Sequence, residues 1–430
     1  MFFALEEYSL FVQILLVFNI AMSAIFSIGY SYQVIYLLAP FVLKKREMPA
    51  AAPRIYNYAV LIPARNESQV IEQLIASIHR QTYPKENITI FVAADNCSDD
   101  TAAIAKNAGA RVWERFNKKQ VGKGYALDFL FGKIFESYAQ SDFDGFFVFD
   151  ADNLLDENYI AEMNKTFNRG HKIITSYRNS KNYAENWLSA GYALWFLRES
   201  KFMNNARMLL GTSCAISGTG FLVSADIVLK NNGWPFFTLT EDIEFSVHNA
   251  IAGNRIMYCK AAIFYDEQPV TFRQSWDQRL RWAKGFYQVF GKYGAVLIKT
   301  MIKKRSFCAF DMFMTIWPAA TFTAVTMLFN LAVIAFSFAL GFDASAIGGL
   351  FASAVITLYI LLFTIASITV ATEWKRIHCQ AFLKIAYLFA FPVFMLTYIP
   401  IAMAALFRRV EWKPIAHNAV KTLEEVRRGI

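Results

Sequence analysis

The 430-residue chain lacks the common signatures of metal, redox and cofactor proteins. Its five cysteines (Cys97, Cys214, Cys259, Cys308, Cys379) are scattered and form no CxxC pair. That argues against a thiolate zinc site or a disulfide frame and fits reduced thiols. No GxGxxG follows the first strand, which weighs against a nicotinamide or flavin enzyme. His79, His171 and His248 have no metal-ligand spacing and read as structural, and no Ser/His/Asp or Cys/His arrangement stands out. Repeats and low-complexity segments are missing as well.

What the chain has is apolar residues and a basic balance. Hydrophobic residues make up 56% and phenylalanine alone contributes 41, too apolar for a soluble protein of this length. The formal charge is +9, but the cations sit beside apolar blocks, as in Lys44-Lys45-Arg46 and Lys303-Lys304-Arg305. That placement reads as cytoplasmic membrane flanks, so a lipid bilayer is expected as a partner and nucleic acid is not.

The stretch from about Ser9 to Leu43 is uncharged, too long for a signal-peptide core, and reads as a retained transmembrane helix. Glu6 and Glu7 before it, and the basic run after it, place the N-terminus outside. From Tyr58 to about Phe290 short apolar strands alternate with helical stripes such as Val70, Ile71, Leu74, Ile75 and Ile78. The expected fold is α/β, a largely parallel sheet with helices on both faces and ligands beyond the carboxyl ends of the strands. Arg281 to Lys304 is amphipathic and suits a helix lying on the membrane or packed on the domain. Apolar blocks follow at about Met312 to Leu340, Ala344 to Ala371 and Phe382 to Phe407. A fully spanning last block would put Arg408, Arg409, Lys413, Lys421, Arg427 and Arg428 outside, against the positive-inside tendency. Pro392 and Pro400 allow that block to break, so a cytosolic C-terminus is expected. The expected division is 1–46 transmembrane helix, 47–283 cytosolic α/β domain, 284–305 interfacial helix, 306–410 C-terminal transmembrane region and 411–430 basic cytosolic tail.

Four clusters carry candidate chemistry. Asp150-Ala151-Asp152 follows the strand-like run Phe146-Phe147-Val148-Phe149. Two carboxylates two residues apart on one side of a strand end can hold a divalent cation against phosphate oxygens. Alone, such a pair is more often a solvated turn; the strand before it makes the two readings about even. Thr240-Glu241-Asp242 opens a helix that ends at Gly253. Acids there favour a helix N-terminus, and that is the better reading of the tripeptide by itself. The functional reading makes Asp242 a general base for an attacking hydroxyl. Gln278, Arg281 and Trp282 fall on one helical face, offering a guanidinium for a pyrophosphate and a flat ring for a sugar. An amphipathic helix with a buried tryptophan explains that pentapeptide equally well in isolation. Gly122-Lys123-Gly124 can bring backbone and a lysine close to a phosphate, or can be a flexible basic loop.

Taken together and in order, Asp150-Ala151-Asp152, Thr240-Glu241-Asp242 and Gln278-Arg279-Leu280-Arg281-Trp282 resemble the motifs of membrane-integrated processive glycosyltransferases of family 2, the cellulose, hyaluronan and chitin synthase group. The resemblance covers about Tyr58 to Phe290. It implies a GT-A fold, a UDP-sugar donor, Mg²⁺ or Mn²⁺, and single-displacement inversion. Carried over by position, it implies that Pro63, Ala64, Glu67 and Asp95 contact the uridine, and that Lys123 contacts the pyrophosphate. Asp150 would help hold the nucleotide, Asp152 the metal, and Asp242 would be the base. Gln278, Arg281 and Trp282 would line the donor and acceptor sites; Ser217, Gly218, Thr219 and Glu241 would meet the acceptor. Asp95-Asn96-Cys97-Ser98-Asp99 departs from the Asp-x-Ser-x-Asp form common in the group, and Glu411-Trp412-Lys413-Pro414 lacks the flanking pattern of a gating segment.

The leading expectation is therefore a multi-pass enzyme of the plasma or inner membrane that polymerises sugar from UDP-glucose, or second UDP-N-acetylglucosamine, onto a growing β-linked glycan and translocates the product. Rival readings are single-sugar transfer to a polyprenyl phosphate or other lipid, and a non-catalytic scaffold or export channel. So few crossings make a thin wall for a sugar pore, which leaves a homo-oligomer or a partner subunit open.

Overall fold

A computed structural model describes residues 10–43, 54–339, 345–415, 417 and 419–429. The flanking charges expected to set orientation (Glu6, Glu7, Lys44, Lys45, Arg46) and part of the Gly341 to Gly349 connection lie outside the described residues. At the centre is an eight-stranded sheet: β1 (Tyr58–Ala64), β2 (Ile88–Asp95), β3 (Arg111–Arg115), β4 (Gly145–Val148), β5 (Leu154–Leu155), β6 (Ile173–Ser180), β7 (Phe221–Ser224) and β8 (Ile256–Asp266). The order is β3-β2-β1-β4-β7-β6-β8-β5. Side chains alternate across it as a pleated strand requires: Ala59 and Leu61 pack into one core, Tyr58, Val60 and Ile62 into the other. Pro63 sits inside β1 rather than ending it. Pairing to β4 stops at Leu61, so a residue without an N–H is tolerated there.

Only part of the sheet is parallel, which corrects the simple alternating reading. β3, β2, β1 and β4 run together, but β7 is antiparallel to both β4 and β6. The reversal matters for function. The start of β7 lies beside the end of β4, with Phe221 opposite Val148 and the Gly220 N–H donating to the Val148 carbonyl at 3.0 Å. The Ser217 to Gly220 loop is thereby delivered to the edge where Asp150 leaves β4.

Among the described residues, four helical segments are long and apolar enough to cross a membrane: Gln13–Val42, Ala319–Ala339, Phe351–Glu373 and Ala381–Phe407. The amphipathic stretch is the second half of one 33-residue helix, Phe272–Lys304, so the expected boundary at 283 falls within a continuous element. The last apolar block is broken into Ala381–Leu396 and Tyr398–Phe407. Buried Arg279 holds the break by donating to the Phe394 carbonyl (3.0 Å) and the Thr397 hydroxyl (2.7 Å). Both flanks of this block return to the α/β domain. Lys384 donates to the Trp374 carbonyl, next to Glu373, which accepts from Tyr177. Beyond Phe407, Leu423 and Val426 pack against Leu154 and Tyr265, and Arg427 pairs with Asp156 (2.8 Å) and Glu157 (2.7 Å). The basic tail thus lies on the α/β domain.

A buried ion pair ties three parts of the chain together. Arg207, from the helix Asn205–Leu210, meets Asp311 of the helix Phe307–Ile316 through two bonds of 2.7 and 2.9 Å. Both side chains are almost wholly buried, at 2% and 0% exposure. The Tyr36 hydroxyl of the N-terminal helix donates to the same carboxylate at 2.8 Å. Removing one partner strands a charge in an apolar setting, at a cost of about 3–5 kcal/mol. Asp311→Ala is therefore expected to lower the unfolding temperature of the detergent-solubilised protein sharply. The double change Arg207→Met with Asp311→Leu is expected to recover most of that loss. Equal Tm values for the wild type and Asp311→Ala would refute the assignment.

Candidate functional site

One cavity of about 720 Å³ opens at the carboxyl edge of the parallel strands and runs toward the apolar helices. It collects nearly all the residues singled out from sequence: Pro63, Ala64, Glu67, Asp95, Lys123, Asp150, Asp152, Ser217, Gly218, Glu241, Asp242, Gln278, Arg281 and Trp282 all line it. Thr219 does not. Its hydroxyl turns inward, accepting from the Asp150 N–H at 2.8 Å and donating to Asn153 at 2.6 Å, so it braces the Asp150 turn.

At the strand edge, Asp95 is buried and paired with Arg115 at 2.7 Å. Burial still leaves its carboxyl above the ordinary value. Lys123, at the start of the helix Lys123–Ser137, pairs with Asp150 and donates to the Gly218 carbonyl at 2.8 Å. Burial alone would raise Asp150, but the Lys123 charge outweighs it and holds Asp150 below the usual range. The helix start can lie this close only because residue 124 is glycine: a Cβ there would come within 2.1 Å of the Phe236 carbonyl oxygen. Asp152 is 4% exposed and accepts from the Glu267 N–H at 2.9 Å. No cluster of three or more His, Cys, Asp or Glu that could hold a metal occurs among the described residues. A cation held by one or two carboxylates, with phosphate oxygens and water completing its shell, is the habit of Mg²⁺, and Asp150 and Asp152 are two carboxylates that line this edge.

Deeper in the cavity the helix Glu241–Ala252 begins. Thr240 stands at its N-cap, but its hydroxyl makes no capping bond. The acids after it turn into the cavity. Asp242 accepts from the Gly218 N–H at 2.6 Å. Burial, then the neighbouring Asp242 charge, pushes Glu241 up to about 8, and burial raises Asp242 as well. Trp282 meets Tyr192 edge-on at 5.8 Å, presenting its ring to the cavity. Arg281 has no carboxylate within ion-pair distance among the described residues, and burial lowers its pKa.

Sequence reading missed a third wall, supplied by the C-terminal segment. Trp412 has the guanidinium groups of Arg65 (5.3 Å) and Arg281 (6.0 Å) over its ring and lies against Gly122. His417 contacts Glu67 at 3.0 Å. Burial alone would push His417 down, but the carboxylates of Asp152 and Glu67 outweigh it and hold the imidazole up at about 10. Arg178 was also missed; it pairs with Asp266 and donates to the Ser217 carbonyl at 2.8 Å. The only sequence signal for the tail was a tryptophan among basic residues, and nothing local placed it 350 residues away beside Glu67.

The family described as "Glycosyltransferase like family 2" matches residues 53–285. The probable glycosyltransferase YdaM of Bacillus subtilis is 28% identical over 63% of this chain and 64% of its own. A beta-monoglucosyldiacylglycerol synthase of Trichormus variabilis is 25% identical over 63% of this chain and 57% of its own. A poly-beta-1,6-N-acetyl-D-glucosamine synthase of Staphylococcus aureus is 26% identical over 53% of this chain and 54% of its own. The chain spans between half and two thirds of the length of these curated relatives. Among solved structures, a mannosyltransferase of Pyrobaculum calidifontis in complex with GDP-Man and Mn²⁺ superposes with a TM-score of 0.56 at 13% identity, covering 90% of this chain and 98% of that one.

An imidazole held above its free value of 6.5 stabilises docking around neutral pH and loses that contribution as pH climbs through about 10, while burial pushes its partner Glu67 up to about 7, so the pair also weakens as that carboxyl takes a proton in acid. Hydrogen exchange at residues 411–415 is expected to accelerate as pH rises toward that value, once corrected for intrinsic rates. His417→Ala is expected to accelerate it already at pH 7. Equal protection in the variant would show that this contact does not hold the segment.

Proposed function

Since the chain belongs to glycosyltransferase like family 2 and adopts a GT-A fold, we propose that it transfers a hexose from a UDP-sugar to an acceptor hydroxyl with inversion and so extends a β-linked glycan at a membrane. The observation that carries this reading is the single cavity, which links the strand edge at Asp95 and Asp150 to Asp242 and continues between apolar helices. Pro63, Ala64, Glu67 and Asp95 would hold the uridine, and Lys123 and Arg281 the diphosphate. Asp152, with Asp150 beside it, would hold Mg²⁺ or Mn²⁺, which when bound supplies charge neutralisation for the departing diphosphate. Asp242 takes the proton of the acceptor hydroxyl as that oxygen attacks the anomeric carbon on the face opposite the diphosphate. Burial and the Asp242 charge raise Glu241, which favours its neutral form beside the base. Trp282 gives the acceptor ring an apolar floor. The domain and the docked tail would face the cytosol, with Gln13–Val42, Ala319–Ala339 and Phe351–Glu373 as crossings and the broken block re-entrant.

A second reading, transfer to a lipid-linked acceptor, is favoured by the far wall of the cavity. Leu358, Leu362, Ile365 and Ile399 there suit an acyl or prenyl chain as readily as a glycan. The scaffold reading loses ground because Asp150, Asp152 and Asp242 converge on one cavity.

Protein in phospholipid nanodiscs, given single UDP-sugars with Mg²⁺ or Mn²⁺, is expected to release UDP from one donor. Polymer as product supports chain extension, and an organic-soluble product alone supports the lipid reading. No release from any UDP-sugar, with lipid and glycan acceptors present, refutes the proposal. Asp242→Asn is expected to cut kcat by about 10²–10⁴-fold, the usual worth of a general base. Because Asp242 is raised and works deprotonated, kcat/KM is expected to rise with pH through a limb above the ordinary carboxylate range of about 3.9. A limb at the ordinary value would remove Asp242 from the role.

A further inference from the structure

We propose that Trp195, Arg198 and Glu199 form a binding subsite for a sugar already present on the acceptor, so that the enzyme extends glycosides in preference to bare alcohols. The inference rests on the transferase reading above and concerns the acceptor end of the same cavity. The three residues fall at i, i+3 and i+4 at the end of the helix Trp187–Arg198, hence on one face, and all three line the cavity. At this point the helix gives way to a π-helical turn, Glu199–Asn204, before α-helix resumes at Asn205. Such turns are rare and recur at functional sites, because the widened turn re-aims side chains.

The charges of this face lack ion-pair partners among the described residues. Several buried acids of the protein have one, Asp95 with Arg115, Asp266 with Arg178 and Asp311 with Arg207. Glu199 has no cation within ion-pair distance among the described residues; its contact is the Ser217 hydroxyl, which donates to it. Arg198 likewise has no carboxylate partner among the described residues. It donates to Gln33 of the N-terminal helix at 2.9 Å and stands 5.4 Å from the Trp195 ring. Half-completed charges inside a cavity cost stability until a ligand completes them. A sugar completes both. One ring hydroxyl donates to the carboxylate, a neighbouring oxygen accepts from the guanidinium, and the C–H face of the ring lies against indole. A plain aliphatic alcohol offers one hydroxyl and cannot satisfy both groups.

The subsite is also in register with the chemistry. Ser217 holds Glu199, and the next residue, Gly218, holds Asp242 through its N–H at 2.6 Å. A ring bound on Glu199 is thus anchored one residue from the atom that takes the acceptor proton.

The test uses the full chain in phospholipid nanodiscs with hexyl β-glucoside, hexyl β-N-acetylglucosaminide and 1-hexanol. Calorimetry without donor gives binding, and UDP release with donor gives turnover. At least one glycoside is expected to bind and be extended, and 1-hexanol is not. Glu199→Gln, which preserves side-chain volume, and Trp195→Ala are each expected to weaken glycoside binding and raise its KM by about tenfold, the usual worth of a charge-assisted hydrogen bond. The KM for the UDP-sugar is expected to stay within twofold in both variants. Equal use of 1-hexanol, or wild-type glycoside affinity in both folded variants, would overturn the subsite. Glycoside binding that is lost in the variants, in a protein that releases no UDP, would uphold the subsite and overturn the transferase reading instead.

Discussion

The site depends on one three-residue loop, Ser217-Gly218-Thr219. Its groups reach both halves of the cavity. The Gly218 carbonyl accepts from Lys123, which pairs with Asp150, and the Gly218 N–H donates to Asp242. Ser217 contacts Glu199 through its hydroxyl and Arg178 through its carbonyl, and Thr219 braces the Asp150 turn. Gly218 has a backbone φ of +82°, a conformation that side-chain-bearing residues adopt only at a cost. The loop therefore fixes the distance between Lys123 and Asp242, and it does so with backbone atoms, which cannot rotate away as side chains can.

The loop reaches this place because β7 runs against β4. A parallel β7 would carry its preceding loop to the opposite edge of the sheet, away from Asp150. The same logic of delivery applies to the apolar helices. The Arg207 and Asp311 pair locks the Phe307–Ile316 helix and the N-terminal helix onto the α/β domain, and Arg279 fixes the break at Thr397. Buried charges thus set where the membrane-facing part meets the domain, while the apolar contacts around them supply area but little direction. The cavity exists between these two parts, so neither part alone contains it.

Much of this was legible in the chain. Strands at Tyr58–Ala64, Ile88–Asp95 and Gly145–Val148, the helix ending at Gly253 and the apolar blocks follow from period and punctuation, which are local properties. The acids at 150, 152, 241 and 242 were legible because strand ends and helix starts place short motifs predictably. The inward turn of the Thr219 hydroxyl was not legible, since a hydroxyl on a tight loop can face either way and only its neighbours decide. His417 and Glu199 carried no local signal, and Trp412 stood out only as a tryptophan among basic residues. A histidine in a basic tail, or a glutamate after a helical run, looks like any solvated residue until the chain folds back.

The sequence by itself determined the element types, the order of the acidic and basic clusters and the presence of apolar helices, because each follows from spacing within one short segment. Tertiary structure alone decided the reversed β7, the return of residues 411–415 and His417 to the Glu67 edge, the break between Leu396 and Tyr398, and the pairing that leaves Glu199 and Arg198 without ion partners among the described residues. Those depend on which distant groups meet. A chain specifies that through the summed burial and charge compensation of many residues, and no single segment carries it.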